Sequence, residues 1–261
     1  MAGINDIAFR ILCKKAGAGL TYTGMINPLS KQEFVLDDFP AIQLFSKSEM
    51  GIKKFIRKYE SRCSLFDFNL GCPSDTARNH GVGYFLQDLK TIDKILRIMR
   101  ESTDKPITAK LRISDKTEEI IKITERYCDA ICIHPRTQKQ GYSGNPDLNY
   151  AEKIKKKTNL QVIYSGNVNE ENALELLEKF DFVMIGRAVM GNPNIFSRLT
   201  GNKTEFDFSD YLKLAKKYKL SFQQIKLQAM HFTKGKDDAK ELRRNLIFAE
   251  NEKDIRKVFG I

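Results

Sequence analysis

Residues 65–74 read Leu-Phe-Asp-Phe-Asn-Leu-Gly-Cys-Pro-Ser, and this stretch decides the fold. Its apolar residues are interrupted by only two polar ones, and a short apolar run bounded by a turn signal is typical of a strand buried in a parallel sheet. A glycine ends the run, and Pro73 fixes its own φ and biases Cys72 toward extended geometry. The stretch therefore predicts a strand over 65–70 that presents the amide of Asn69 and a thiol at its carboxyl end.

The carboxyl ends of strands in parallel α/β folds are where ligands bind and chemistry takes place. A thiol on a loop at such an end is less often structural than a cysteine elsewhere. Most free cysteines are nevertheless small buried hydrophobic residues, and on spacing alone both interpretations of Cys72 stay open. Downstream, Gly81 and Gly83 allow tight backbone turns before a helical run that we predict to begin near Phe85.

Length, composition and charge limit the classes of protein to which this sequence can belong. The chain has 261 residues, enough for one barrel-sized domain plus a small appendage. A hydrophobic fraction of 41% with 30% charged residues is typical of a soluble globular protein, and neither a membrane span nor a signal peptide is indicated. The five cysteines form no Cys-x-x-Cys pair and there are only three histidines, so we expect a reducing, cytoplasmic setting and no metal site. The net charge of +11 indicates a polyanionic partner.

Strand and helix patterns alternate along most of the chain. After a helix over 7–16, we predict seven strands, at 20–23, 41–45, 65–70, 107–112, 130–133, 161–164 and 181–185. Helices between them are predicted at 51–59, 91–100, 117–127, 148–157 and 170–179. Repeated βαβ crossovers of this kind close into an α/β fold, the (β/α)8 TIM barrel, and that is the fold we expect.

Polar side chains occur where several predicted strands end, at the edge where a barrel places its site. Gln43 and Lys110 lie within apolar strands, where an unpaired amide or ammonium group would be costly unless it points outward at a splayed strand end. His134 closes the strand at 130–133, although a single histidine is more often a structural residue.

The last two predicted strands end in Ser165-Gly-Asn167 and Gly186-Arg187. In barrels, the loops after the last two strands commonly form a phosphate site from backbone N–H groups, and an arginine adds a bidentate partner. Glycine in such loops lets the backbone approach the phosphate closely. This pattern therefore indicates a site for a phosphorylated ligand.

Taken together and in this order, these pieces resemble the tRNA-dihydrouridine synthases over nearly the whole chain. The resemblance is carried by Met1-Ala-Gly, Gln43-Leu-Phe, Asn69-Leu-Gly-Cys-Pro with Gly81-Val-Gly, Lys110-Leu-Arg, His134-Pro-Arg-Thr, Gln140-Gly-Tyr, Ser165-Gly-Asn, Gly186-Arg-Ala and Glu241-Leu-Arg-Arg. Each glycine motif alone is weak, whereas the joint match is highly specific. The family consists of flavin-dependent enzymes that reduce a uridine double bond in tRNA, with a cysteine as proton donor.

The resemblance implies a role for each matching residue. Flavin mononucleotide (FMN) would be bound by Met1, Ala2, Gln43, Lys110, His134, Ser165, Gly166, Asn167, Gly186 and Arg187. Asn69 and Arg136 would help to place the target uracil, and Cys72 would deliver the proton. The reductant would be NADPH or NADH and the substrate tRNA, with neither a metal nor a membrane involved, and we expect a monomer.

The chemistry of these roles is coherent. A reduced flavin can pass hydride from its N5 to uracil C6, which builds negative charge across C5 and O4. A thiol with a pKa of about 8.5 is mostly protonated at neutral pH and can donate to C5. Lys110 would stabilise the anionic reduced ring. The uridine must first leave the tRNA stack, which costs a few kcal/mol.

From about residue 206 the pattern changes to helices only, so we divide the chain into a catalytic domain at 1–203 and a helical domain at 204–261. Residues 211–236 hold seven lysines and no acidic residue, and residues 201–261 hold 14 Lys and Arg against 9 Asp and Glu. A surplus of this size could contact many phosphates. The resemblance implies that this is a tRNA-binding domain, shorter than is usual in the family.

Lysine runs also have a simpler interpretation, because on most proteins they form a solvated helix face. The run Lys153, Lys155, Lys156 and Lys157 lies on a predicted barrel helix away from the strand-end face. We therefore predict that this second run is solvated surface.

The predicted barrel lacks one strand. Eight strands are required, seven are counted, and the first of them already follows a helix, so the strand before Ile7 is missing. In the family that strand ends just before Met-Ala-Gly, the tripeptide with which this sequence begins. We therefore expect that the native start lies upstream, or that this form is unstable and binds FMN weakly.

Three functions are consistent with these patterns. The first, which we favour, is a tRNA-dihydrouridine synthase that uses FMN and a nicotinamide reductant. The second is a flavin barrel acting on a free pyrimidine, such as a dihydroorotate-type dehydrogenase, which would need no basic helical tail. The third is an RNA-binding module whose flavin site has decayed, and the intact Gln43, Lys110 and Cys72 argue against it.

Overall fold

The computed structural model describes residues 3–261, so the predicted cofactor contacts Met1 and Ala2 lie outside the described residues. The chain divides into two compact units. The terminal unit comprises Met1–Gly24 with Arg187–Ile261, and the central unit comprises Met25–Gly186. Because the predicted domain boundary after residue 203 falls inside the terminal unit, a separate tRNA-binding domain stays a prediction.

The central unit is built on a parallel sheet. Its strands are β1 (Ala41–Leu44), β2 (Leu65–Leu70), β3 (Ile107–Ile113), β4 (Ala130–Thr137), β5 (Gln161–Ser165) and β6 (Phe182–Met184). They are hydrogen-bonded in sequential order, and every neighbouring pair is parallel. Sequential parallel strands with a helix in each crossover are the arrangement of a (β/α) barrel, which confirms the predicted α/β class.

Helices alternate with the strands along the chain, and after β6 only helices follow. They are α1 (Ile7–Lys15), α2 (Ile52–Tyr59), α3 (Asp75–His80), α4 (Leu89–Arg100), α5 (Thr117–Tyr127), α6 (Leu148–Lys157), α7 (Ala173–Lys179), α8 (Asn194–Thr200), α9 (Phe208–Lys217), α10 (Phe222–Phe232), α11 (Ala239–Phe248) and α12 (Glu252–Phe259). The predicted change to helices alone near residue 206 is confirmed. None of the helices in the described part of the chain has the length and hydropathy of a membrane span.

The predicted strand at 20–23 is wrong, and the sheet formed by the described residues has six strands rather than seven. Only Tyr22 makes a single bridge there. The side chain of Asn5 donates to the carbonyl oxygens of Tyr22 (2.9 Å) and Thr23 (3.5 Å). Because a side-chain amide takes these acceptors, the segment does not form a continuous backbone ladder.

Strand register places polar residues of neighbouring strands side by side. Gln43 pairs with Asp67, Asn69 with Lys110, and Lys110 with Cys132. Side chains alternate along a strand, so partners in register share one face of the sheet. We call this the polar face; it comprises Gln43, Asp67, Asn69, Thr108, Lys110, Cys132, His134 and Ser165.

The opposite face of the sheet is apolar. Phe66 and Phe68 of β2 and Ile131 and Ile133 of β4 are fully buried on it. Burying a side chain of this size contributes about 1.5–3 kcal/mol to folding. The strands are therefore anchored by one face, which leaves the other face available for polar residues.

Asp6 organises the terminal unit. Its Oδ1 caps α1 by accepting from Phe9 N (3.0 Å), and its Oδ2 accepts from Gln224 Nε2 (2.9 Å) and Gln228 Nε2 (2.6 Å) of α10. Phe9 also meets Phe232 of α10 edge to face, with the ring centroids 6.2 Å apart. One carboxylate and one ring contact thus join the first helix of the chain to the later helices.

Three of the four lysines of α6 form ion pairs at the surface. Lys157 and Lys153 approach Glu118 of α5 at 3.0 and 3.9 Å, and Lys155 pairs with Asp181. Exposed ion pairs of this kind contribute at most about 1 kcal/mol to the stability of the folded state. This placement agrees with the prediction that the run is solvated surface.

Candidate functional site

The structure brings five of the predicted site residues to the polar face of one sheet. Gln43, Asn69, Lys110, His134 and Ser165 lie on consecutive strands, β1 to β5, within the central unit. All except Lys110, which is half-buried, are buried. The predicted clustering of polar groups at neighbouring strands is therefore present.

Asn69 shapes the loop that follows β2. Its Oδ1 accepts hydrogen bonds from two successive backbone amides, Gly71 N (3.1 Å) and Cys72 N (2.9 Å). An asparagine that accepts from the backbone two and three residues later forms a side-chain mimic of a tight turn. The end of β2 is thus bent by its own side chain, and the bend sets the position of Cys72.

Cys72 carries the accessible thiol of the chain. It is half-buried, whereas the other four cysteines are buried. Its Sγ lies 3.3 Å from Ser74 Oγ, and Ser74 caps α3 by accepting from Ala77 N (3.2 Å). A thiol that is partly open and held beside a helix cap can exchange its proton with a ligand and with solvent.

Gly83 closes the loop against Cys72. Its φ is +62°, and a Cβ at this position would lie 2.9 Å from both Cys72 O and Cys72 Cβ. The next residue, Tyr84, donates its backbone N–H to Cys72 O (3.1 Å). Only glycine satisfies both the left-handed φ and the close backbone approach.

Gly83→Ala should displace the Cys72 loop, because the added methyl group collides with the Cys72 backbone. Gly81→Ala is the matched control, since Gly81 has a similar φ of +64° but a Cβ there would meet nothing within 4 Å. We expect about 1 kcal/mol of destabilisation in the control and clearly more in Gly83→Ala. Iodoacetamide labelling of Cys72 should change only in Gly83→Ala. Equal thermal stability and labelling in the two variants would contradict the steric argument.

Asp67 lies on the polar face among the candidate site residues, and the sequence pattern did not single it out. Its side chain is entirely buried on the polar face, where Oδ2 accepts from Gln43 Nε2 (2.6 Å) and Oδ1 from Thr108 Oγ1 (2.5 Å). Burial raises the pKa of Asp67 to about 6, and its two hydrogen-bond donors and the charge of Lys110 oppose this shift. The sequence does hold a signal for Asp67, since it is a single acidic residue within an otherwise mostly apolar strand.

Asp67→Asn should flatten the dependence of stability on pH. Since the pKa is about 6 in the folded state against a reference of 3.8, the folded protein binds this proton more tightly than the unfolded chain. Stability is therefore lost as pH rises from about 4 to 6, by up to about 3 kcal/mol. The variant's free energy of unfolding relative to wild type should rise by this amount in urea titrations across the range. A constant difference would contradict burial as the cause.

Lys110 and Ser165 meet across the polar face. Lys110 Nζ lies 3.5 Å from Ser165 Oγ, and no ion pair of Lys110 with a carboxylate occurs among the described residues. Beside them, burial raises the pKa of the Cys132 thiol to about 11, and the Lys110 charge opposes this rise. The lysine thus brings to the polar face a positive charge that an anionic ligand can pair with.

Arg136 lies at an irregularity of β4 and is fully buried. Register between β3 and β4 shifts after Arg112, which leaves Arg136 out of the ladder. Its guanidinium donates to Ser143 O (3.2 Å), Gly144 O (2.6 Å) and Asn167 Oδ1 (2.9 Å). This placement anchors the loop after β4, and the predicted contact of Arg136 with a uracil stays a prediction.

His134 is a neighbour of Arg136 rather than an isolated imidazole. Its Nε2 lies 3.0 Å from Arg136 Nη1, and its ring meets Tyr142 edge to face at 6.5 Å. The imidazole and the guanidinium therefore orient each other at the end of β4. The predicted contact of His134 with a cofactor stays a prediction.

Arg112 is a second buried arginine. The sequence places it in the Lys110-Leu-Arg motif but predicts no role for it. It donates to Thr137 O (3.2 Å) and Gly141 O (2.7 Å) and lies 5.3 Å from the centroid of the Tyr142 ring. Burial lowers the pKa of Arg112 from its ordinary value. Lys110, Arg112 and Arg136 together give the ends of β3 and β4 a positive charge.

The predicted phosphate loops are placed in different units. Gly166 has a φ of +141°, and Asn167, whose Oδ1 accepts from Arg136, has a φ of +52°. Gly186 is the last residue of the central unit, and a Cβ there would meet nothing within 4 Å. Arg187 belongs to the terminal unit, where it begins a short 3-10 helix, so its contact with a cofactor stays a prediction.

Comparison with known proteins gives matches over nearly the whole chain. The sequence model described as "Dihydrouridine synthase (Dus)" matches residues 1–253. A probable tRNA-dihydrouridine synthase of Aquifex aeolicus (strain VF5) is 29% identical, with 98% of this chain and 92% of that protein covered. tRNA-dihydrouridine synthase B of Klebsiella pneumoniae is 30% identical, with 76% of this chain and 69% of that protein covered.

Among solved structures, morphinone reductase in complex with tetrahydroNAD has a similar fold. The TM-score is 0.51 at 11% identity, and the match covers 80% of this chain and 86% of that one. An identity this low supports a shared barrel fold, and the sequence matches carry the functional comparison.

Proposed function

This chain belongs to the dihydrouridine synthase family, and on that premise we propose that it reduces the C5–C6 double bond of uridine in tRNA. The observation that carries the proposal is the accessible thiol of Cys72 at the end of β2, held by Asn69, whose register partner is Lys110. A proton donor and a cation on adjacent strands suit a reaction in which negative charge develops on an unsaturated ring.

The residues on the polar face fit a flavin such as FMN. A half-buried ammonium group without a carboxylate partner among the described residues, Lys110, suits the electron-rich pyrimidine edge of the ring. Gln43 and His134 would bind the same edge, and the loop at 165–167 with Gly186 would bind the phosphate. The space beside Gly186 would admit a phosphate close to the backbone. When bound, the flavin supplies the hydride that is added to uracil C6.

The protein's own contribution to chemistry begins with Cys72. Hydride addition at C6 leaves an electron pair shared between C5 and O4 of the uracil. The S–H bond of Cys72 breaks, its proton forms the new C–H bond at C5, and the electron pair of the S–H bond stays on sulfur. Because Cys72 is half-buried rather than enclosed, solvent can return a proton to the thiolate.

Neighbouring residues position the reaction and balance its charge. Asn69 would orient the uracil, since its side chain lies where the strand turns into the Cys72 loop. The positive charges of Lys110, Arg112 and Arg136 would favour the developing anion. We assign Arg136 to holding the loop after β4 rather than to direct contact with the base.

The family assignment favours this function over a dehydrogenase of a free pyrimidine and over an RNA-binding module without chemistry. We further propose that NADPH or NADH is the reductant and that the protein acts as a monomer in the cytoplasm, where tRNA is available.

The test is to incubate the purified protein with FMN, NADPH and tRNA from a strain that lacks dihydrouridine, and to measure dihydrouridine by mass spectrometry of nucleosides. The proposal expects dihydrouridine in tRNA and none in free uridine or UMP. Reduction of the free pyrimidines at an equal rate would favour the alternative dehydrogenase, and no reduction of either would overturn both functions.

Charge reversal at Lys213, Lys216 and Lys217 of α9 should weaken tRNA binding, because exposed lysines on one helix can contact several phosphates. Lys213 and Lys216 already pair with Asp210 (3.1 Å) and Glu252 (2.9 Å), but at exposed positions where such pairs are weak. Each phosphate contact that is lost should lower the slope of log affinity against log salt by about 0.9 on duplex.

The matched control reverses three lysines of α6, Lys153, Lys156 and Lys157. These lysines belong to the run that we interpret as solvated surface of the central unit, so we expect tRNA affinity and its salt dependence to stay unchanged. Equal losses in the α6 and α9 variants would point to net charge rather than to a specific contact by α9.

A further inference from the structure

We propose that Asp67 is a positioning residue for Cys72, which it holds through the side chains of Gln43 and Asn69 without touching the thiol. The functional meaning of this series of hydrogen bonds rests on the proposed role of Cys72 as proton donor. The series itself consists of four hydrogen bonds within the central unit.

The contacts run from the middle of β2 to the loop at its end. Gln43 Nε2 donates to Asp67 Oδ2 (2.6 Å), and Gln43 Oε1 accepts from Asn69 Nδ2 (2.9 Å). Asn69 Oδ1 then accepts from the backbone of Gly71 (3.1 Å) and Cys72 (2.9 Å). Asp67, Gln43 and Asn69 are all buried, so water has little access with which to replace a missing partner.

At both ends of this series of hydrogen bonds, the roles of donor and acceptor are fixed. An ionised carboxylate can only accept hydrogen bonds, and a backbone N–H can only donate. The amides of Gln43 and Asn69 can each be turned around, but a turned Asn69 would place its NH2 group against the backbone donors of Gly71 and Cys72. With Asp67 at one end and these donors at the other, a single orientation of both amides satisfies every contact.

Asp67 is therefore coupled to the thiol loop in a way that Thr108 is not. Thr108 Oγ1 donates to the second oxygen of Asp67 (2.5 Å) and takes no part in the contacts that lead to Cys72. Loss of Asp67 would remove the carboxylate that accepts from the Gln43 NH2 group and weaken the hold on the orientation of the Gln43 amide. Asn69 would then lose a fixed partner, and the turn at Gly71 and Cys72 would loosen.

The experiment measures hydrogen–deuterium exchange at the amides of Gly71 and Cys72 in the purified full chain. We expect Asp67→Ala to speed this exchange about tenfold, the effect of one buried hydrogen bond. Asp67→Asn should stay within about threefold of wild type, because its Oδ1 can accept from Gln43 while its Nδ2 donates to Thr108 Oγ1. Thr108→Val, the matched control in the same buried layer, should also leave this exchange unchanged.

Asp67→Leu, which fills the space of the carboxylate without offering an acceptor, keeps the proposal testable if Asp67→Ala does not fold. Gln43→Ala should speed exchange at the same two amides, and the double variant with the Asp67 substitution should be no faster than Gln43→Ala alone. Equal effects of Asp67→Ala and Thr108→Val, or additive effects in the double variant, would show that Asp67 is merely part of the core and would overturn the proposal.

Turnover separates this proposal from the proposed function. In Asp67→Ala, dihydrouridine formation should lose more in kcat than in KM for tRNA, since the proton donor is displaced rather than the tRNA surface. If the wild type forms no dihydrouridine, the function fails while the exchange measurements still decide the role of Asp67. If the wild type is active and the exchange at Gly71 and Cys72 is unaltered in Asp67→Ala, only the positioning role fails.

Discussion

Cys72→Ala is expected to lose dihydrouridine formation while keeping flavin binding and flavin reduction by a nicotinamide. The thiol is the only accessible one of the five, and it lies on the loop after β2 rather than on the predicted phosphate loops. Removing a general acid typically lowers the rate by about 10²–10⁴-fold. Single-turnover mixing of the reduced enzyme with tRNA, followed by nucleoside mass spectrometry, measures this loss directly.

Cys63→Ala is the matched control for this experiment. Cys63 is buried, and its Sγ donates to the carbonyl oxygen of Glu60 at 3.7 Å. Its replacement should leave the rate of dihydrouridine formation unchanged, although a small loss of stability is expected from the space it vacates. Wild-type rates in Cys72→Ala would show that another group donates the proton.

Arg136→Met is expected to destabilise the protein strongly and to lose activity through the loop after β4. Methionine keeps much of the side-chain volume but cannot donate the hydrogen bonds that Arg136 gives to Ser143 O, Gly144 O and Asn167 Oδ1. A loss of about 3 kcal/mol from these three hydrogen bonds of the buried guanidinium should lower Tm by roughly 6–12 °C. Thermal denaturation followed by circular dichroism checks the size of this effect.

Arg126→Met provides the contrast, because Arg126 is 54% exposed and pairs with Asp93 at the surface. Its replacement should change the free energy of unfolding by less than about 1 kcal/mol. If Arg136→Met instead keeps the wild-type Tm and raises only KM for tRNA, Arg136 contacts the substrate, as the family resemblance implies.

The strand at 65–70 and the loop that carries Cys72 could be predicted because their signals are local. An apolar run, a glycine and a proline are adjacent in sequence, and each restricts the backbone by itself. Helix α5 was likewise predicted at its observed limits of Thr117–Tyr127. Helix α3 was not predicted, although the sequence offers a serine where the helix begins and a glycine where it ends. In the structure Ser74 is the N-cap of α3, and Gly81 follows its last residue with a φ of +64°.

The rest of the site depends on contacts between residues that are distant in sequence. Thr108 and Asp67 are separated by 41 positions, and nothing near either residue indicates their hydrogen bond. Burial of Arg136 follows from a local loss of register between β3 and β4, which composition does not reveal. The strand predicted at 20–23 failed for a similar reason, because the competing donor, Asn5, lies 17 positions away.

The alternation of side chains in β2 also limits which insertions and deletions the gene can accept. Removing one residue at the start of this strand, before Phe66, would turn Asp67 and Asn69 toward the apolar layer and bring Phe66 and Phe68 to the polar face. Nor could the loop absorb the change, since Asn69 reaches the Cys72 amide only three residues later. In any set of relatives, length variation should therefore be absent between positions 65 and 72 and concentrated in the segments that connect helices to strands.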